Sequence, residues 1–239
     1  MKKIIFFIIT ILLFVSCKKS SEKINSDGFI IAGSIKNISN NNKVYLKTQE
    51  NGVITILDST TIKDDKFEFK GKIEKPIIYG IYIDSIEGAI GIFMENKKIT
   101  IEAYKDSLAS SKVSGSKTND DYSNFVKQSN LIISKMNVLF PAFQKARAEN
   151  DADKLKEINK KMQVISDKNT AFTLNYAKQH ADSYIGALAL HSVIRIPTIE
   201  KDTIEKVYNN FSDYVKKGDL AQKTKIFLET VSTKDSIQN

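Results

Sequence analysis

The hydrophobic pattern of this chain changes period once, and the change limits which folds the chain can adopt. From Phe29 to Lys105, short runs alternate apolar and polar residues and are separated by Asn, Gly and Asp, a pattern typical of antiparallel strands. From Asp120 to Ser232, apolar residues recur at three- and four-residue steps, the spacing of helices packed on a core. The sequence therefore predicts an α+β fold: an antiparallel β-sandwich-like module followed by an α-helical module with a long helical hairpin.

Boundaries follow from the same pattern. They separate a signal peptide (1–16), a tether (17–28), the antiparallel β module (29–105), a linker (106–119) and the helical module (120–232). With 239 residues, the chain is long enough to bury a core without disulfides. About seven strands are predicted in the β module, and Asn51-Gly52 between two of them is a strong hairpin signal.

Two groups in the β module suggest chemistry, but structural roles are favoured for both. Asp58-Ser59 is expected to support a turn or a strand end, since this half of the chain has no histidine to activate the serine. Tyr45, Tyr79 and Tyr82 are expected to pack on a sheet face rather than to form a ligand platform.

The helical module begins with two apolar stripes, one from Tyr122 to Phe143 and one from Leu155 to Tyr176. Pro141 is expected to kink the first helix, or to end it and begin another. The second stripe has heptad spacing, which fits either a coiled coil with another chain, with Asn169 fixing the register, or a hairpin within this chain. We favour the hairpin, because the heptads last only about three repeats.

Three shorter helices are predicted after the hairpin, each from its start signal. The signals are Asp182-Ser183 before Tyr184, a capping box from Asp202 to Glu205 for a helix reaching Lys217, and Asp219 with Gln222.

The amino terminus has the features of a secretory leader. Lys2 and Lys3 precede the apolar run Ile4–Val15, whose 12 residues are too few for a membrane-spanning helix, which needs about 20. The run ends at Ser16 and Cys17, the only cysteine, and Leu13-Phe14-Val15-Ser16-Cys17 resembles a bacterial lipobox. This resemblance implies cleavage between Ser16 and Cys17, lipidation of the Cys17 thiol and acylation of the new amino group.

Lipid at Cys17 would anchor the protein to a membrane while its folded body stays in water. No acidic cluster of the kind associated with surface export follows the cysteine. We therefore expect a cell-envelope protein, lipid-anchored in the outer membrane and facing the periplasm.

Composition argues against several classes of function. The net charge of +8 is spread along the chain, and only Arg147 and Arg195 are arginines, which disfavours specific nucleic-acid binding. A single cysteine excludes an internal disulfide and a CxxC pair. His180 and His191 match no zinc-ligand spacing.

The carboxylates of the β module give no metal signal either. Asp84, Glu87 and Glu95 follow no calcium-loop template, and they are expected on a solvated rim. We expect no metal, no cofactor and no catalytic residue.

One ordered set of short motifs resembles a known family, the uncharacterised amino-terminal domain of bacterial thiol:disulfide interchange lipoproteins related to thioredoxin and peroxiredoxin. The matching elements are Phe29-x-Ile31-x-Gly33-x-Ile35, Val44-Tyr45-Leu46, Asp58-Ser59, Lys66-Phe67-x-Phe69-x-Gly71, Pro76, Phe93-x-Glu95-Asn96, Ile99-x-Ile101 and Gly115-Ser116 with Asn119 and Tyr122. The resemblance runs from about Phe29 to the middle of the chain.

In that family the helical region is usually followed by a thioredoxin-like domain with redox cysteines, whereas this chain stops at Asn239. The sequence thus favours a non-catalytic envelope lipoprotein that binds an envelope protein or a small ligand. The alternative is a truncated or accessory part of a thiol-disulfide oxidoreductase or peroxiredoxin-like enzyme whose catalytic domain is absent from this chain.

Overall fold

The computed structural model of the protein describes residues 28–50, 53–74 and 76–237. The predicted leader, Ser16 and Cys17, nearly all of the tether, and the Asn51-Gly52 turn lie outside these residues. The structure also does not describe the side chains of Gln49, Glu50 and residues 232–237.

Within the described residues, eight strands form two four-stranded sheets, which confirms the predicted β-sandwich-like module. The strands are β1 (Phe29–Ile35), β2 (Lys43–Glu50), β3 (Val53–Thr61), β4 (Lys66–Gly71), β5 (Ile77–Ile83), β6 (Ile90–Met94), β7 (Lys98–Ala103) and β8 (Lys112–Ser114). One sheet has the order β4-β1-β7-β8 and the other β3-β2-β5-β6. All pairs are antiparallel except β1 with β7, which run parallel.

The core of the sandwich lies between the two sheets. Alternate residues of each strand supply it, as the period of two requires: Ile31 and Phe69 come from one sheet, and Leu46, Ile81 and Ile92 come from the other. The β2–β3 pairing continues to Glu50 opposite Val53, so the two strands that flank Asn51-Gly52 are antiparallel neighbours.

Seven α-helices follow in the part of the chain that the structure describes, which confirms the helical module. They are α1 (Lys117–Ile133), α2 (Phe140–Ala148), α3 (Ala152–Gln179), α4 (Tyr184–Val193), α5 (Lys201–Asn209), α6 (Asp213–Lys216) and α7 (Asp219–Ile237). Helices α1 and α3 pack against each other as a hairpin, and the Ser129 hydroxyl donates a 2.9 Å hydrogen bond to Asn169 Oδ1 across it. Pro141 lies in the first turn of α2, so a new helix begins there.

The structure differs from the sequence prediction in two places. Residues 106–119, predicted as a linker, contain a short 3-10 turn, strand β8 and the start of α1. The predicted helix from Asp202 to Lys217 is two helices, because buried Phe211 interrupts it and the Ser212 amide donates to the Ala181 carbonyl at 3.0 Å. The residue preceding α5 is Glu200, without a side-chain cap, so the predicted capping box is wrong.

Strand β6 joins the two modules. Ile90, Ile92 and Met94 face the sandwich core, whereas the ring of Phe93 lies in a second core formed with the helices. Strand β6 is therefore covered on both faces. The residues that follow it lie at the boundary between the sheet and the helices.

Candidate ligand-binding cleft

Glu95 follows the last residue of β6 and is buried at this boundary, with 8% of its surface exposed. Its Oε2 lies 3.1 Å from Lys97 Nζ. Its Oε1 is buried and has no hydrogen-bond partner among the residues that the structure describes. Burying a carboxylate oxygen without a partner is costly, so this position is a candidate for recognition of something outside the described chain. The expectation that Glu95 lies on a solvated rim is wrong.

Asn96 fixes one wall of the cleft beside Glu95. Its side-chain amide accepts a 3.0 Å hydrogen bond from the Ile73 amide and donates one of 2.8 Å to the Ile73 carbonyl. These two bonds hold the β6–β7 connection against the segment between β4 and β5. Glu95 and Asn96, neighbours in one of the motifs that resemble the family, therefore have different roles. Glu95 has a carboxylate oxygen without a described partner, and Asn96 fixes the adjoining backbone.

Two tyrosines from the helical module form the opposite wall. Tyr184 begins α4, which is capped by Ser183 as predicted, and its ring stacks on Phe93 with centroids 5.8 Å apart. Tyr214 on α6 packs against Tyr184 at 4.7 Å. Gly218 lies behind the Tyr184 ring, where an added Cβ would approach a ring carbon to 2.8 Å. Tyr184 is thus held on several sides.

The two walls enclose a cleft of about 310 Å³. Its remaining lining comes from Glu74, Pro76 and Lys97. Burial, the neighbouring Tyr214 hydroxyl and the charge of Glu95 raise the pKa of Tyr184 well above its ordinary value. The Tyr184 hydroxyl therefore stays protonated near neutral pH, and the cleft places the Glu95 carboxylate between two tyrosine rings and the Lys97 ammonium group.

A larger cavity of about 680 Å³ lies between α1 and the strands β6 and β8. Tyr122 lies over Gly91 there, and burial raises the pKa of its hydroxyl. Lys127 is the only ionisable residue besides Tyr122 among the described residues that line this cavity. None of its described lining residues has a buried polar side-chain atom without a partner, as Glu95 has at Oε1, so we regard the smaller cleft as the better candidate.

The aromatic and polar groups that the sequence singled out in the β module lie elsewhere. Tyr45 and Tyr82 are directly opposite on β2 and β5, and Lys47 Nζ lies 4.7 and 4.8 Å from their ring centroids. Asp58 Oδ1 accepts a 2.7 Å hydrogen bond from the Ser59 amide, close to an irregularity in the β2–β3 register. Tyr45 and Tyr82 lie on a sheet face as expected, whereas Asp58-Ser59 lies within β3 rather than at a turn or a strand end.

The two histidines are separate and engaged within the fold. His180 follows α3, stacks on Tyr176 at 3.8 Å and contacts its carbonyl through Nδ1. His191 Nδ1 lies 3.2 Å from Thr224 Oγ1. Across residues 28–50, 53–74 and 76–237, no three His, Cys, Asp or Glu residues cluster as metal ligands.

The sequence singled out Glu95 but did not indicate that Tyr184 and Tyr214 lie beside it. Ser183 predicted where the helix carrying Tyr184 starts, but no sequence signal connects that helix with β6. The two tyrosines reach the carboxylate only through the packing of the helical core on Phe93.

Comparison with known proteins gives one match. A family model described as a domain of unknown function, DUF4369, matches residues 29–122. This range contains Glu95, Asn96 and Asn119, but not Tyr184 or Tyr214, and it agrees with the extent of the resemblance seen in the sequence. No curated protein and no solved structure matches the chain significantly.

None of the helices in the described part of the chain is both long and apolar enough to span a membrane.

Proposed function

We propose that this protein is a non-catalytic, lipid-anchored binding module of the cell envelope, and that the Glu95 cleft is where it binds. The observation that carries the binding role is the buried Glu95 Oε1, which has no partner among the described residues. A protein that keeps an unsatisfied carboxylate oxygen at a cleft loses stability there, and a ligand that supplies a hydrogen-bond donor would recover it.

The lining of the cleft suits binding better than catalysis. The described residues that line it include neither histidine nor cysteine, two residue types that commonly act as base or nucleophile. Tyr184, with its raised pKa, stays protonated at neutral pH and so is neither a ready proton donor nor a general base. These groups can position a ligand and neutralise its charge.

The proposed location in the cell envelope depends on lipidation of Cys17. Lipid at this residue would hold the folded body close to the membrane while the cleft stays open to the aqueous compartment. The test is to replace Cys17 by Ser and to follow radiolabelled palmitate into the protein. The Cys17→Ser variant should take up no label and should no longer be recovered in the membrane fraction. A variant that still takes up label would refute the lipid anchor.

Photo-crosslinking from inside the cleft tests the binding role. A benzoylphenylalanine placed at Tyr214 should form adducts in living cells, because that side chain is 60% exposed at the cleft. The matched control is the same group at Tyr104, which is 42% exposed and outside the cleft. Adducts at Tyr214 alone would support the proposal, whereas no adducts, or equal adducts at both positions, would refute it.

A second candidate function follows from the family-like motifs. In this interpretation the chain is the accessory part of a thiol-disulfide oxidoreductase or peroxiredoxin-like lipoprotein, and a separate segment performs the redox chemistry. The DUF4369 match covers the same residues as that resemblance. Insulin reduction and peroxide consumption by the purified chain test this alternative, and turnover in either assay would favour it over the binding module.

A further inference from the structure

We propose that the cleft beside Glu95 binds an organic ammonium group, with the N–H donors of the ligand on Glu95 Oε1 and its positive charge against the rings of Tyr184 and Tyr214. This inference rests on the proposed binding function and specifies the chemistry of its ligand.

The carboxylate determines the sign of the ligand's charge. Oε2 of Glu95 is paired with Lys97 Nζ at 3.1 Å, and Oε1 remains buried without a described partner. A hydrogen-bond donor or a metal ion can satisfy an ionised carboxylate oxygen, and among donors a cationic one does so most strongly. An anionic ligand would meet repulsion from the same oxygen.

The aromatic wall favours an organic cation in particular. Ammonium groups are attracted to the faces of tyrosine rings, most strongly where water is excluded. Tyr184 is fixed between Phe93, Tyr214 and Gly218, so the wall is formed before a ligand arrives and little side-chain entropy is lost on binding. A cleft of about 310 Å³ is at the small end of known ligand sites, which suits an alkylammonium group.

A divalent metal ion fits this cleft less well. Ca²⁺ takes six to eight oxygen ligands and Mg²⁺ takes six, whereas the described residues offer no cluster of three metal-ligating side chains. Asn96 uses both of its amide atoms on Ile73. Lys97 already lies at the same carboxylate. Its positive charge would repel a divalent metal ion more strongly than a singly charged ammonium group.

Pairs of probes that differ in charge test the proposal. n-Butylammonium and N-acetyl-lysine methylamide would be titrated calorimetrically into the purified chain, in a non-ionic detergent that carries no ammonium head group. Their controls are n-butanol and N-acetyl-norleucine methylamide, which lack the charge. We expect each ammonium probe to bind at least tenfold more tightly than its control, and equal affinities within both pairs would overturn the proposal.

The two ammonium probes also separate the possible sources of the group. Tighter binding of the lysine derivative would indicate a lysine side chain of a polypeptide, and tighter or equal binding of n-butylammonium would indicate a free amine. Either result supports recognition of an ammonium group, provided that the uncharged controls bind weakly.

Matched variants locate the binding. Glu95→Gln keeps the size of the side chain and should weaken ammonium binding at least tenfold, whereas Glu87→Gln removes an exposed carboxylate outside the cleft and should leave it unchanged. Tyr214→Leu should weaken binding three- to tenfold, and Tyr214→Phe, which keeps the ring, should restore it. Circular dichroism would establish that each variant is folded. Unchanged binding by Glu95→Gln would overturn the proposal.

One further variant, Lys75→Ala, tests whether the chain's own lysine before Pro76 competes with the ammonium probes for Glu95. If only Lys75→Ala binds the ammonium probes, the proposal fails for the native protein. Failure of these titrations while benzoylphenylalanine at Tyr214 still gives adducts would refute the ammonium chemistry alone. Specific ammonium binding without adducts in cells would instead count against the proposed function.

Discussion

The side-chain amide of Asn119 forms two hydrogen bonds with the backbone of Phe93: Oδ1 accepts from the Phe93 amide and Nδ2 donates to the Phe93 carbonyl, each at 2.8 Å. Strand β6 is the outer strand of its sheet, so Asn119 supplies the partners that another strand would have given. The Phe93 ring packs with the helices. This pair of residues therefore connects α1, the sheet and the wall behind Tyr184.

Replacing Asn119 by Ala should destabilise the protein strongly. Asn119 is fully buried, and its removal leaves the amide and carbonyl of Phe93 without their partners, at a cost of about 2–4 kcal/mol. The free energy of unfolding in urea measures this cost. Asn124→Ala on the exposed side of α1 is the control, because its exposed side chain accepts a hydrogen bond from exposed Gln128, and its effect should stay below about 0.5 kcal/mol. Equal losses in the two variants would contradict the role of Asn119.

Gly115 allows the chain to pass from β8 into α1. Its φ of +109° lies in the region that favours glycine, and an added Cβ would approach the Lys98 carbonyl oxygen to 2.4 Å. Gly88 has a φ of +93°, but nothing lies within 4 Å of its added Cβ. Gly88→Ala should therefore cost only the backbone strain, about 1–3 kcal/mol.

Gly115→Ala should cost more than Gly88→Ala, because a backbone clash is added to a similar strain. Thermal unfolding of the two variants measures the difference. A smaller loss for Gly115→Ala would contradict this expectation, because it would show that the backbone at position 115 can move away from Lys98 on β7 without penalty.

Local patterns predicted the strands and the hairpin because each depends on residues close in sequence. Alternation over a few residues specified which side of β1 or β4 faces the core, and Ser183 specified where α4 begins. The motifs Phe93-x-Glu95-Asn96 and Gly115-Ser116 with Asn119 were also recognised. What the sequence did not show is that Asn119 bonds to Phe93.

Long-range packing accounts for what was missed. The parallel pairing of β1 with β7 depends on how the two sheets assemble, not on either strand alone. Glu95 shares its cleft with Tyr184 and Tyr214, which lie far along the chain, so the residues near Glu95 in the sequence did not indicate its burial. The break between α5 and α6 depends on where Phe211 finds a core position.

The hydrogen bond between Ser129 and Asn169 joins the two long helices of the hairpin. A double-mutant cycle with Ser129→Ala and Asn169→Ala should give a coupling of about 0.5–1.5 kcal/mol. Because both residues belong to one chain, the coupling and the unfolding midpoint should not change with protein concentration. A midpoint that rises with concentration would favour the coiled coil between chains.

His191 should make the protein less stable as the pH falls. Burial lowers its pKa, and the positive charges of Lys223 and Arg195 act in the same direction, while Asp219 opposes them. Because the Thr224 hydroxyl donates its hydrogen to the Leu220 carbonyl, Nδ1 of the neutral ring is the donor toward Thr224 Oγ1. Burial and the two positive charges therefore favour the neutral ring in the folded state.

A folded-state pKa below the unfolded value of 6.5 means that the unfolded chain takes up the proton first. The contribution of His191 to stability is present above pH 6.5 and is lost as the pH falls toward and through the folded-state value. Urea unfolding between pH 7.5 and pH 5 measures this loss, and His191→Gln should reduce the pH dependence. His180→Gln removes the other histidine and should leave the His191 contribution in place, so a pH dependence that disappears only in His180→Gln would contradict the assignment.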